Sequence, residues 1–315
     1  MFSINPRNEE QTVITEEMVM CAITHTPILL RDASYEMKNN KRLVMTAVTK
    51  NGGALRYASD ELRNTEPIVL AAVTQNDRAL SLASDQMKNN QKVVMAAAAQ
   101  HGRALVYAKK ELKNNERFLS ALVAENFIAL AYAPSEMRNN ERIAVAAMGA
   151  RNVEQYRGGG YESPLRYVSR ELQNNERVVM AAVTRDGCAL RWASEALRNN
   201  DQIVMAAVAE NGLALEWASQ KLRANEQIVR AALANDGLAL EWASSRHKND
   251  LGLVLTALRQ NPRARKFVAR DFLVVSLAQG DPWSCSARMS HGRRWRQSTK
   301  SRKPLCGQQE IERGE

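Results

Sequence analysis

Aromatic residues make up only 5% of this 315-residue chain, and it has just four cysteines and four histidines. Long apolar runs are missing too: none reaches the roughly 18 residues that a membrane-spanning helix needs. We therefore expect no transmembrane segment and no membrane partner. The opening MFSINPRNEEQTVITEE lacks the basic-then-apolar order of a secretory leader. Cys21, Cys188, Cys285 and Cys306 stand far apart with no C-x-x-C. They read as reduced thiols of an intracellular protein, cytoplasmic or nuclear, and not as a disulfide framework. His25, His101, His247 and His291 form no H-E-x-x-H, and no nucleophile elbow is present. Cys285, His291 and Cys306 do not have zinc spacing. The expectation is a chain with no catalytic residues, no metal and no cofactor, hence not an enzyme.

What the chain does have is a period of 25 residues, marked by a paired asparagine. The pair occurs at Asn39-Asn40, Asn89-Asn90, Asn114-Asn115, Asn139-Asn140, Asn174-Asn175 and Asn199-Asn200. Weaker copies stand at Asn64-Thr65, Ala224-Asn225 and Asn249-Asp250. Repeats of this length imply an array in which each unit buries its apolar face on its neighbours. Within one copy, Val178, Val179, Ala182 and Val183 form a helical stripe. Asp186-Gly187 then reads as a stop with a left-handed glycine, and Ala189, Leu190, Ala193 and Leu197 form a second stripe. The predicted fold is all-α, an α-solenoid of about ten two-helix repeats over residues 15–280, with a lead-in at 1–14. An insertion loop at 152–163 lengthens one repeat, and Leu273–Ala278 is a candidate capping helix. Residues 281–315 are a basic tail expected to be disordered.

The pattern A-L-x-[YW]-A-S-x-x-L-[KR]-N-N-x-x-[VIL]-[VL]-M-A-A-V-x-x-[ND]-G, as in Ala189–Gly212, resembles the repeat of domain of unknown function 4116. The resemblance covers about residues 15–272 and implies a helical repeat protein, with no activity to carry over.

Three features bear on binding. The second residue of each asparagine pair suits the N-cap of the next helix, and the first suits a left-handed helix end. A ladder of Lys38, Arg63, Lys88, Lys113, Arg138, Arg198, Arg223 and Lys248 precedes the pairs. Cations there favour the ends of helices, yet a row of them could also attract nucleic acid. The tail adds Arg288, Arg293, Arg294, Arg296, Lys300, Arg302 and Lys303 around Trp295. A structural column of Tyr57, Tyr107, Tyr132, Tyr167, Trp192, Trp217, Trp242 and Phe267, with Leu82 filling one slot, is preceded by residues of changing charge. Those are Arg56, Ser81, Val106, Ala131, Arg166, Arg191, Glu216 and Glu241. We expect a protein or peptide partner to read Arg56, Arg166, Arg191, Glu216 and Glu241. Tyr156, Arg157 and Tyr161 of the insertion are further candidates. Nucleic acid binding through the ladder and tail is the alternative. The sequence sets no oligomeric state.

Overall fold

The computed structural model describes residues 16–151 and 163–268, and among them there is no strand. The lead-in, the capping helix, the tail and all of the insertion but Ser163 lie outside the described residues, with Tyr156, Arg157 and Tyr161.

Each repeat opens with a long α-helix such as Lys41–Lys50. Asn40 caps it, its side-chain oxygen accepting from the amides of Arg42 and Leu43 at 3.0 and 3.2 Å. Asn90, Asn115, Asn140, Asn175, Asn200, Asn225 and Asp250 accept in the same way. Such a cap is worth about 1 kcal/mol. Thr65 departs from the rule, donating to the Glu61 carbonyl at 2.9 Å instead. The predicted stripe is the buried one: Leu43, Val44, Ala47 and Val48 in this copy, and Val178, Val179, Ala182 and Val183 in another. Burying each Val or Leu contributes about 1.5–3 kcal/mol. That is what holds helices which would be marginal alone.

The second stripe is buried as well, but not on one helix. Gly52–Tyr57 is a 3-10 helix, Ala58 is extended, and Asp60–Arg63 is a single α-helical turn. Serine makes the break. The Ser59 hydroxyl accepts from the Leu62 amide at 3.2 Å, and its own amide donates at 3.0 Å to the Lys38 carbonyl of the preceding repeat. An extended backbone at 58–59 is needed for both bonds. The same rung joins Ser84 to Arg63 and Ser219 to Arg198.

Glycine acts differently from the expected left-handed stop. Gly187 is not in the left-handed region. The preceding Asp186 turns the chain, accepting from the Cys188 amide at 3.0 Å. A Cβ at Gly52, Gly187, Gly212 or Gly237 would overlap the Ala72, Ala207, Ala232 or Ala257 carbonyl of the following repeat. The glycine is there because two backbones meet. Where Asp77 holds this position, the terminal helical bond His101 N to Ala97 O is 3.2 Å, against 2.9 Å for Asn76 N to Ala72 O. Where the buried Phe127 holds it, the next helix ends two residues early, at Met148 instead of the residue matching Lys50. The Phe127 ring packs 6.2 Å from that of Tyr167.

Contacts divide the chain into two units, residues 1–122 with 131–134, and residues 123–130 with 135–315. In the first, the helices Glu16–His25, Lys41–Lys50, Glu66–Gln75 and Gln91–Gln100 stack in chain order. In the second, Glu141–Met148, Glu176–Val183, Asp201–Glu210, Glu226–Asn235 and Leu251–Gln260 do so. The 3-10 helices stack in parallel within each unit, so each is an α-solenoid segment.

Candidate binding face

Most of the polar groups that recur are used between repeats. The first asparagine of each pair is not left-handed: Asn39 has φ −100° and ψ 1°. Its oxygen accepts from the Ser59 hydroxyl at 2.6 Å and its nitrogen donates to Glu61 at 3.2 Å, both in the next repeat. Asn64 binds Ser84 and Gln86, and Asn139 binds Ser169 and Glu171, in the same two-pronged way. Where Ala224 removes the amide, the Ser244 hydroxyl turns to Nδ1 of the buried His247, 3.2 Å away. The backbone rung from Ser244 to Arg223 survives at 3.1 Å. So the two departures at this junction answer each other.

The cationic ladder lies half-buried at every position from Lys38 to Lys248. Lys113 Nζ donates to the Val106 carbonyl at 3.3 Å, and Arg223 Nε to the Ala218 carbonyl at 2.9 Å. Gln173, the one neutral member, donates to the Leu165 carbonyl at 3.1 Å. These side chains fold back on the carbonyl end of their own 3-10 helix, where a donor is favourable.

In each unit the varying residues lie on the face presented by its own 3-10 helices, whose fifth position holds the changing charge and whose sixth holds the aromatic. In the second unit they form one stack. The Arg166 guanidinium lies 5.7 Å from the Tyr167 ring centre and 5.2 Å from that of Trp192. Arg191 follows, 5.3 Å from Trp192 and 4.8 Å from Trp217. Each such stacking contributes about 0.5–1 kcal/mol. Beyond it stand Glu216 and Glu241. Burial raises the pKa of the Glu216 carboxyl, Arg191 opposes the shift, and Glu241 adds to it. The second positions here, Cys188, Leu213 and Leu238, pack together beside the stack. Asn211 Nδ2 donates to Cys188 Sγ at 3.2 Å.

In the first unit the corresponding face is open. Gly53 leaves the second position empty and Arg78 fills it in the next repeat. A groove of about 390 Å³ runs there, bounded by Ile28, Arg56, Tyr57, Arg78, Leu82 and Tyr107. Arg56 thus belongs to this groove, Arg166 and Arg191 to the stack, and Glu216 and Glu241 to the positions beyond it.

Seven overlapping segments match the model of DUF4116, a domain of unknown function: residues 15–63, 40–88, 65–113, 90–138, 161–198, 175–223 and 225–273. The chain belongs to the DUF4116 family. No curated protein and no solved structure matches it. Among the described residues of this DUF4116 chain, no cluster of three His, Cys, Asp or Glu could hold a metal, and no helix is long and apolar enough to cross a membrane.

The groove was not foreseen. Its signal was present in the second position of the 3-10 helix, where Gly53, Arg78 and Arg103 give way to Cys188, Leu213 and Leu238.

Proposed function

We propose that this DUF4116 chain is a non-catalytic helical-repeat scaffold that binds a protein or peptide through the face of its 3-10 helices. One observation carries the reading. The recurring Asn, Ser and Lys/Arg groups take part in caps, rungs and staples, whereas Arg56, Arg166, Arg191, Glu216 and Glu241 change charge at one fixed register of the 3-10 helix. A surface free to vary on a scaffold that is not is where repeat proteins place recognition. A nucleic-acid track along Lys38, Arg63, Lys88, Lys113, Arg138, Arg198, Arg223 and Lys248 is less well supported, because the side chains are half-buried and two of them donate to carbonyls.

The test is selection of displayed random peptides on the full-length chain, with the winners and a labelled RNA then titrated by fluorescence anisotropy at rising salt. The expected winners lose affinity with Arg56→Glu or with the pair Arg191→Glu and Glu216→Lys, and keep it with Lys38→Gln and Lys88→Gln. Absence of peptide binding, together with salt-steep RNA binding that the ladder variants abolish, would replace the scaffold by a polyanion binder.

A further inference from the structure

We propose that the groove of the first unit is a docking site for a short, extended acidic peptide. The proposal rests on the scaffold reading and adds the partner's chemistry to it. The groove exists because of Gly53. In the second unit the matching residue is Cys188, whose sulfur takes the Asn211 amide donor. Asn76 is the counterpart of Asn211. With a glycine opposite, its nitrogen has no bonding partner among the described residues. The orientation of this amide is set, because Oδ1 accepts from the Arg78 amide at 3.0 Å and only N–H is left to face the groove. Asn51 is held likewise, its Oδ1 accepting from the Gly53 amide at 2.9 Å.

The charged side chains on the lining are Arg56 and Arg78, with no acidic residue among those that bound it. Neither guanidinium has an ion pair or a side-chain hydrogen bond among the described residues, and both are exposed. The groove therefore presents two guanidinium groups and two carboxamide donors, with no carboxylate acceptor, between apolar walls of Ile28 and Leu82 and the rings of Tyr57 and Tyr107. Guanidinium forks match carboxylates, and the walls suit an aliphatic side chain beside them. A nucleic acid would need a continuous cationic track. Here the cations are two, and the fifth positions that follow are Ser81 and Val106.

The experiment uses the full-length chain and three labelled peptides of one length: Glu or Asp alternating with Leu, the same with Gln and Asn, and the same with Lys. Anisotropy should show the acidic peptide binding about tenfold or more tighter than its amide twin, the effect of one charge-assisted contact. The pair Arg56→Glu and Arg78→Glu should reverse the preference toward the Lys peptide. Gly53→Leu keeps both arginines but fills the groove with the residue found at Leu213, and should also lose the acidic peptide. Its Cβ would meet only Asn51 Oδ1, at 3.1 Å, so melting by circular dichroism should stay near that of the parent. Equal binding of acidic and amide peptides, or an acidic peptide indifferent to both variants, overturns the proposal. So does RNA that binds more tightly and is lost with the same variants. Selected peptides that bind elsewhere on the chain while the acidic peptide fails would sink this groove and leave the scaffold reading standing.

Discussion

The two units carry different side chains on the same repeat backbone. In the first unit, the second positions of successive 3-10 helices are Gly53, Arg78 and Arg103, and the sixth are Tyr57, Leu82 and Tyr107. In the second unit they are Cys188, Leu213 and Leu238, with Trp192, Trp217 and Trp242. The first leaves a groove lined by arginines, and the second closes into a stack in which Arg166 and Arg191 lie over aromatic rings. What differs is the side chain at the second and sixth positions of the 3-10 helix. What stays the same is the glycine-to-carbonyl meeting, the serine rung and the asparagine staple. A repeat of this kind separates the residues that build it from those that can be changed.

The sharpest way to break the comparison is at the part both stretches share. Gly52→Ala and Gly212→Ala should each destabilise by about 3 kcal/mol, the upper range for overpacking, because the new Cβ meets the next repeat's backbone. Gly53→Ala, one residue along, should cost under about 0.5–1 kcal/mol. Urea denaturation of the three variants checks this. Equal losses at Gly52 and Gly53 would remove the close-approach account.

A smaller effect separates the two stretches. Arg191→Ala gives up stacking against two rings and takes a cation from beside Glu216. It should cost about 1–2 kcal/mol. Arg56→Ala in the groove should stay within about 0.5 kcal/mol. Thermal melts of the pair compare them directly.

The smallest concerns pH. The folded Glu216 carboxyl holds its proton to higher pH than the unfolded one, because burial raises its pKa. Stability from this group is therefore present at acid pH and declines as pH rises through the raised value. Glu216→Gln should melt slightly higher than the parent at neutral pH, with the gain vanishing in acid. A gain independent of pH would assign the effect to something other than the charge.

Much of the fold was legible because its cause is local and periodic. The stripe Val178, Val179, Ala182 and Val183 and the N-caps from Asn40 to Asp250 follow from helix geometry within a few residues. The residues read less well are those whose reason lies a full repeat away. Gly187 looks like a local stop, yet its constraint is Ala207. Asn39 does end a helix, yet its side-chain partners, Ser59 and Glu61, lie in the next repeat. The split of the second segment was marked by Ser59, Ser84, Ser194, Ser219 and Ser244, but a serine is compatible with a continuous helix until the rung to the preceding repeat is seen. For the candidate sites, the changing charges of Arg56 through Glu241 could be read as a face. The groove is marked only by a missing side chain at Gly53, which reads as a groove once the 3-10 helices are known to stack.

The most direct test is amide hydrogen exchange of the full-length chain with and without the bound acidic peptide. The prediction is added protection at Gly52–Tyr57 and Asp77–Leu82, with the one-turn helices Asp60–Arg63 and Asp85–Lys88 unchanged. Protection confined to those one-turn helices, where the cationic ladder sits, would contradict the assignment of binding to the 3-10 face.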